Sequence, residues 1–286
     1  MSTVSDKGVR GGGPVVGDLP EVSLPPAPKP WYRWIVSDRA ARYTARVLFV
    51  LIWQWAGTTF EDIPAPTETI EFLIEEFQSG EVWPNIAISL VRAVIGLSIV
   101  LVLGVVIGIA MARWWRVRYF MTDLILVGIT LPAFIWALLV VMWWGFSNIG
   151  PIAVCVLSAT PQLVISTFQG ATATPGKLRA MSEAYRVPAK RQFRSLVIPS
   201  MMEYIAAGFR SAVLAGWGAI LLVEWFGNDK GVGFRAHYWY DAGSFAGMMA
   251  WGLVMMVIIL AFDRIVMDRV VRHFRRWRIG GQQWSG

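Results

Sequence analysis

The 286-residue sequence has few of the residues that build catalytic or metal centres. It contains one cysteine, Cys155, and two histidines, His237 and His273, which lie far apart. A single cysteine excludes an internal disulfide, and its apolar surroundings favour a small buried side chain. Neither histidine has a neighbour at the spacing of metal ligands. We therefore expect no metal site and no cofactor on this chain.

A phosphate-binding loop is also missing from the sequence. The pattern G-x-x-x-x-G-K-[ST] has no match, and "PGKLR" at 175–179 is only a fragment of it. Any process driven by ATP would therefore take its energy from another polypeptide.

Charged residues make up only 16% of the chain, whereas 56% of its residues are hydrophobic. The apolar residues come in blocks near membrane-crossing length, not in short alternating runs. Six blocks predict transmembrane helices, at residues 43–60, 92–112, 119–144, 149–168, 203–223 and 244–262. The sequence therefore predicts an all-α membrane protein with six transmembrane helices.

The segments between the blocks differ sharply in basic charge. Four of them hold 22 Lys and Arg residues in total: 1–46, 113–118, 171–194 and 263–286. The segments 61–82 and 224–241 hold only two. Because basic loops stay in the cytoplasm, this distribution predicts that both termini are cytoplasmic. The net charge of +7 is then explained by the membrane topology and does not indicate a surface that binds nucleic acid.

The two ends of the chain differ in composition from the apolar blocks. Residues 1–30 are rich in Gly and Pro, which predicts a flexible cytoplasmic tail. Residues 31–46 begin with "WYRW", a mixture typical of the headgroup region, and are predicted to be an interfacial lead-in. Residues 279–286 form a short C-terminal tail.

An acidic segment near residues 64–85 predicts an amphipathic helix with Thr67 as its N-cap. Its apolar residues recur at helical spacing: Ile70, Leu73, Ile74 and Phe77. The other face of this helix is acidic. Since an acidic face avoids anionic lipid, we expect the helix to cap the bundle and not to insert in lipid.

The basic stretch "LRAMSEAYRVPAKRQFRSLVIPS" at 178–200 separates two apolar blocks. Leu178, Met181 and Tyr185 form an apolar stripe at helical spacing. Val187 precedes Pro188 and so resists the α conformation, which predicts that the helix stops near Arg186.

A second short helix should follow, with its own apolar stripe opposite basic residues, and Pro199 should end or kink it. The pair of helices could lie on anionic lipid or dock on a protein, and the pattern alone leaves both interpretations open.

Two arginines lie inside the predicted spans. Arg92 is near the outer end of its span and is expected to snorkel to the headgroups. Arg210 is deeper, and such a residue is a functional candidate. It could pair with Glu203 or Asp123, or it could line a path for an anion.

Over residues 47–278 the chain resembles permease subunits of binding-protein-dependent ABC importers, in the nitrate/sulfonate/taurine group. Segments that carry the resemblance include "LPAFIWALLVVMWWGFSNIG" and "GFRSAVLAGWGAILLVEWFGNDKGVG". The family loop Glu-Ala-Ala-x3-Gly-x9-Ile-x-Leu-Pro aligns with the basic stretch when anchored on Pro199. Arg186 then stands where the pattern has glycine.

The resemblance implies that the basic stretch is a coupling helix, which docks on a separate ATPase. The implied contact residues are Lys177, Leu178, Arg179, Met181, Tyr185, Arg186, Pro188, Lys190 and Arg191. Because glycine is missing, our hypothesis is that the bend has moved to Val187 and Pro188. ATP and magnesium would bind to the partner ATPase, so this chain is not expected to be an enzyme.

The resemblance also suggests a translocation path and an external contact. Candidate path residues are Pro132, Phe134, Trp136, Arg210 and Trp217. Candidate contacts with a solute-binding protein are Glu224, His237 and Trp239, although the aromatic residues could equally form an interfacial belt. Gly208, Gly216 and Gly218 could form a seam with a second permease or pack within the chain.

The function implied by the resemblance is import of a small anion across the bacterial inner membrane by alternating access. Expected partners are a cytoplasmic ATPase dimer, a second permease copy or paralogue, and an external solute-binding protein. The alternatives are a self-sufficient secondary transporter or channel, or a structural membrane subunit of a larger complex. Broken helices and internal repeats, common in secondary transporters, are not evident in the sequence.

Overall fold

A computed structural model describes residues 38–60, 62–174, 176–267 and 269, which are predominantly helical and include no β-strand. Its helices are α1 (Asp38–Thr59), α2 (Pro66–Ser79), α3 (Val82–Arg113), α4 (Trp115–Thr130), α5 (Ala133–Trp144), α6 (Ile149–Thr172), α7 (Gly176–Ala184), α8 (Ala189–Gln192), α9 (Ile198–Gly227), α10 (Val232–Asp241) and α11 (Phe245–Phe262). The predicted tails at 1–30 and 279–286, residues 31–37 of the lead-in, and His273 lie outside the described residues.

The chain packs as two units, Met1–Phe49 and Val50–Gly286. In the first unit, the described residues are those of α1 up to Phe49. The helices α2 to α11 all belong to the second unit.

Four helical stretches in the described residues are long and apolar enough to cross a membrane: Val82–Arg113, Ile149–Thr172, Ala189–Gly227 and Phe245–Ile265. They correspond to four of the six predicted spans. A fifth span results if α4 and α5 cross together as one bent pair. The predicted span at 43–60 falls in α1, which is not among these stretches.

The predicted span at 119–144 is bent rather than straight. The axes of α4 and α5 differ by 97°. Leu131 is extended, with φ −70° and ψ 122°, because a following proline disfavours the α conformation. Pro132 is extended as well, with φ −57° and ψ 140°, and precedes the first residue of α5. The proline therefore breaks this span.

The centre of the second unit is formed by α3, α6 and α9, which pack closely through small residues. A Cβ atom on Gly208 would lie 2.3 Å from Ser166 Cβ, and one on Gly216 would lie 2.8 Å from Cys155 Sγ. These two glycines therefore serve packing within the chain. A Cβ atom on Gly218 would have no neighbouring atom within 4 Å. Cys155 is buried, as predicted.

α2 packs on α10 and α11, and Leu73 is the one residue of its predicted apolar stripe that joins this contact. Its buried side chains include Thr69 and Glu76, which are 0% and 5% exposed. The Glu76 carboxylate accepts hydrogen bonds from Arg235 Nη2 on α10, at 2.8 and 2.9 Å. It also accepts one from Trp251 Nε1 on α11, at 3.0 Å. A face that is polar at Glu76 and apolar at Leu73 thus fixes this helix to the bundle.

The start of α2 also differs from the prediction. Ala65 is the N-cap, with φ −67° and ψ 150°, and Pro66 is the first helical residue. Glu68 Oε2 accepts a hydrogen bond from Ala65 N at 3.2 Å. The predicted N-cap at Thr67 is wrong because the proline, with its fixed φ, already begins the helix.

Candidate functional site

The segment between α6 and α9 bends sharply between α7 and α8, as predicted, but α8 is continuous with α9 and is not a separate short helix. The end of α7 is a Schellman motif, in which Val187 N donates to Ser182 O and Arg186 N donates to Glu183 O, both at 2.9 Å. Arg186 adopts a left-handed conformation with φ 51°. This motif usually places glycine at that position.

The hypothesis that the bend has moved to Val187 and Pro188 is wrong. Arg186 makes the turn itself, although the left-handed conformation costs a non-glycine residue about 1–2 kcal/mol. Pro188 instead serves as the N-cap of α8. Its carbonyl accepts hydrogen bonds from Arg191 N at 2.9 Å and Gln192 N at 3.0 Å.

α7 and α8 are connected to each other and to α9. Gln192 Nε2 donates to Ser182 Oγ across the bend. After α8 the chain forms a π-helical turn, Phe193–Val197, and the helical path runs unbroken over Ala189–Gly227. Pro199 therefore does not end the helix, and that one of the two predicted outcomes is wrong. The wider π turn accommodates a proline, which lacks the N–H for an α-helical bond.

α7 and the residue that follows it expose apolar side chains on the surface of the chain. Leu178, Met181 and Tyr185 are 42%, 55% and 78% exposed. Exposed basic residues lie in the same two helices and at their bend: Lys177, Arg186, Lys190 and Arg191. The side chain of Arg179 lies outside the described residues. We refer to this set as the α7–α8 surface, and its apolar strip is of the kind that partners cover.

Arg92 on α3 and Glu224 on α9 form a buried ion pair. Arg92 Nη1 lies 2.9 Å from Glu224 Oε1, and the side chains are 4% and 0% exposed. Both predictions for these residues are wrong. Arg92 does not snorkel to the headgroups, and Glu224 offers no surface to a binding protein.

The same carboxylate holds the turn that joins α9 to α10. Ser89 Oγ lies 2.8 Å from each oxygen of Glu224 and accepts a hydrogen bond from Val232 N at 2.9 Å. Gly233 N donates to Glu224 Oε2 at 3.0 Å. The burial of Glu224 is thus offset by a full set of donors.

Arg92 directs its remaining donors to neighbouring carbonyl and amide oxygens. Nη1 donates to Lys230 O at 2.9 Å, and Nη2 donates to the Oδ1 atoms of Asn228 at 3.2 Å and Asn148 at 2.5 Å. The sequence contained a signal for this cluster, namely polar residues spaced i, i+4 and i+7 before the apolar block: Asn85, Ser89 and Arg92.

α10 carries the two other predicted contacts with a binding protein. His237 is 33% exposed. Trp239 is half-buried, and its ring packs against Phe72 of α2 with 4.7 Å between centroids. Tyr238 and Tyr240 are 47% and 51% exposed. The accessible part of α10 is therefore His237 with these two tyrosines, more than Trp239.

Two of the predicted path residues have very different surroundings. Arg210 is 42% exposed and forms an ion pair with Asp263 at 2.5 Å, a partner that the sequence did not suggest. Asp263 opens the π-helical turn that follows α11. Trp217 is 6% exposed in the α3–α6–α9 core, so its assignment to an open path is wrong.

The other path candidates lie at and beyond the bend between α4 and α5. Pro132 is exposed and Trp136 is half-buried. Phe134 is 46% exposed, and its ring centroid lies 5.7 Å from that of Phe226 on α9. The bend therefore presents apolar and aromatic groups beside α9.

The sequence matches the family described as "Binding-protein-dependent transport system inner membrane component" over residues 100–279. The chain belongs to this family. The matched region includes the bent pair α4–α5, the α7–α8 surface, α9 and α11. The protein is accordingly a multi-pass inner-membrane permease component, and the family predicted from the resemblance is confirmed.

Relatives of this permease cover most of its length. It is 20% identical over 258 residues to the taurine transport system permease protein of Escherichia coli, covering 86% of this chain and 93% of the relative. It is 23% identical over 236 residues to the nitrate import permease protein of Synechococcus elongatus, covering 78% and 84%. The bicarbonate transport system permease protein of the same organism is 24% identical over 243 residues, covering 80% and 85%.

Proposed function

We propose that this permease moves a small anion into the cytoplasm by alternating access, driven by a separate ATPase and supplied by an external solute-binding protein. The names of three relatives specify taurine, nitrate and bicarbonate. The observation that carries the mechanism is the α7–α8 surface, an exposed apolar strip connected to a continuous helix that is long and apolar enough to cross the membrane.

We infer six spans, with both termini in the cytoplasm and a transmembrane domain at residues 47–278. The four long apolar helices supply four spans, the bent pair α4–α5 supplies one, and α1 supplies the sixth. The distribution of basic residues supports this orientation, since 22 lie in segments that it places inside and two in segments that it places outside. The α7–α8 surface then lies in the cytoplasm, within reach of an ATPase.

The ATPase would cover the apolar strip of α7. Tyr185 is the largest exposed side chain of the strip, and buried aromatic residues are frequent interface hot spots. The exposed Lys and Arg residues would set orientation and association rate more than affinity. ATP and magnesium belong to the ATPase. Closure of the ATPase dimer would push α7, and the continuous helix would carry the movement into α9.

The anion would pass near Arg210, which is the one basic residue predicted deep within a span. Its half-exposed guanidinium could contact an anion while Asp263 neutralises it at rest. Pro132, Phe134 and Trp136 would line the apolar part of the path, which a second permease copy or paralogue completes. His237 and the edge of Trp239 would contact the delivered binding protein.

Co-purification and reconstitution test this function. The permease should be expressed with the ATPase and binding protein encoded beside it, then placed in proteoliposomes. We expect vanadate-sensitive ATP hydrolysis, and uptake of taurine, nitrate or bicarbonate that requires both ATP and the binding protein. Uptake by the permease alone would overturn the proposal in favour of a secondary transporter or channel.

A further inference from the structure

α2 presents three different surfaces around its circumference. The first is buried against α10 and α11 and includes Thr69 and Glu76. The second is apolar and exposed, with Ile70, Ile74 and Phe77 at 52%, 51% and 43% exposure. The third consists of exposed acidic residues: Glu68, Glu71 and Glu75. At 3.6 residues per turn these sets occupy successive sectors of one helix.

The apolar sector is continuous with the exposed surface of α3. The ring of Phe77 lies 5.8 Å from that of Trp83, in an edge-to-face arrangement. Trp83 is 66% exposed at the start of α3, and Val91 and Val94 further along this helix are 58% and 62% exposed. α3 is one of the helices long and apolar enough to cross the membrane. A tryptophan at the end of such a helix is typical of the membrane–water interface.

We propose that α2 lies in the plane of the membrane surface, with Ile70, Ile74 and Phe77 in lipid and the acidic sector in water. A helix at the membrane surface, beside a helical bundle, contacts protein, lipid and water. The three sectors of α2 match these three environments. The proposed lipid contact does not depend on which solute is transported. In the proposed topology, α2 lies at the outer leaflet of the membrane.

The buried sector explains how an acidic helix can stay at a lipid surface. Interfacial helices are usually held by basic side chains and anionic lipid. α2 is held instead by protein contacts, because Glu76 binds Arg235 and Trp251. Its remaining acidic residues need no lipid partner, since they lie in the sector that faces water. We therefore propose lipid contact for one sector of this helix, whereas its acidic face alone predicted none.

Site-directed spin labelling tests the proposal. The full chain should carry Cys155→Ala, which removes its only cysteine, and then either Ile74→Cys or Glu75→Cys. The labelled protein is placed in nanodiscs of phosphatidylethanolamine and phosphatidylglycerol. Collision rates with oxygen, which partitions into lipid, and with a nickel chelate, which stays in water, are then measured. Val91→Cys provides the reference for an exposed residue of a span, and Asp229→Cys the reference for an exposed turn.

We expect the ratio of oxygen to nickel accessibility at position 74 to resemble that at position 91, and to exceed that at position 75 several-fold. Nickel accessibility at 74 as high as at 229 would overturn the proposal, because the sector would then face water. Low accessibility to both reagents would also overturn it, because another protein surface, such as a second copy of this chain, would then cover the sector. Ile70→Cys repeats the measurement if the label at 74 alters the elution volume of the protein.

Discussion

Arg92 and Glu224 are 132 residues apart in the sequence, yet their side chains form an ion pair at 2.9 Å with neither more than 4% exposed. The pair joins α3 to α9, and the surrounding donors extend it to the turn before α10. Burial of two charges is costly, so such a pair is weak evidence for net stability. The pair instead specifies the geometry of this region. Every donor finds its acceptor only when α3, α9 and the turn adopt one arrangement.

Loss of one partner of this pair should destabilise the permease strongly. Arg92→Met leaves the Glu224 carboxylate buried without its cation, and breaking such pairs costs about 3–5 kcal/mol. Thermal unfolding of the purified chain in detergent measures the effect. Arg210→Met is the control, since Arg210 is 42% exposed in its pair with Asp263 and should cost less. Equal shifts in the two variants would contradict a special role for the buried pair.

Arg186→Gly should stabilise the bend of the α7–α8 surface. Glycine adopts the left-handed conformation of this position without the penalty of about 1–2 kcal/mol. Amide hydrogen exchange of residues 182–187 should therefore become slower. Arg186→Ala removes the same charge but keeps a Cβ atom, so it should not slow exchange. If the alanine variant is protected as well as the glycine variant, charge and not backbone conformation limits this turn.

Pro188→Ala should leave ATP hydrolysis coupled to transport. The bend is made by Arg186 and closed by the bonds from Val187 and Arg186 to α7, none of which needs the proline ring. The ratio of ATP hydrolysed to solute imported, measured in proteoliposomes with the ATPase and binding protein, should match that of the unchanged protein. A marked rise in this ratio would show that the ring of Pro188 sets the geometry after all.

Tyr185→Ala should weaken binding of the ATPase. An aromatic hot spot contributes about 2 kcal/mol or more, which corresponds to a loss of affinity of about 30-fold. Tyr119→Ala is a matched control, because Tyr119 on α4 is the same residue with the same exposure of 78%. Affinity for the purified ATPase can be measured by fluorescence titration in detergent. An equal effect of both variants would argue against α7 as the specific contact.

Hydropathy predicted where most of the spans lie, but it misjudged where the second predicted span begins. The predicted span starts at residue 92, whereas α3 starts at Val82. The intervening polar residues, Asn85 and Ser89, lower the local hydropathy, and their partners are Gly231 in the turn after α9 and Glu224 near the end of α9. The hydropathy of one segment contains no information on hydrogen-bonding partners that lie more than 130 residues away in the sequence. The apolar stripe of the α7–α8 surface was easier to predict, since it depends on local spacing, although the residue that makes the bend was predicted wrongly.

The orientation of α2 shows the same limit. Periodicity identified the helix and its apolar stripe, but not which face meets the bundle. That choice depends on Glu76 and Arg235, which are 159 residues apart. An apolar stripe usually faces a protein core. Here a buried carboxylate with a specific partner shares that place with Leu73, and the other three residues of the stripe are exposed.

Glu76→Ala should weaken the packing of α2 on the bundle and lower stability, whereas Glu75→Ala should not. Glu76 is 6% exposed at its side chain and pairs with Arg235, which is itself only 14% exposed. Removal of the carboxylate leaves a guanidinium and the Trp251 indole N–H without their acceptor, at a cost of about 1.5–3 kcal/mol. Arg235 keeps its ring contacts with Tyr238 and Trp239, which limits the loss of stability.

Glu75 is exposed, and its replacement should shift stability by less than about 0.5 kcal/mol. Thermal unfolding of the two variants gives the comparison. A similar shift in both would mean that acidity, and not the contact with α10 and α11, holds α2 in place.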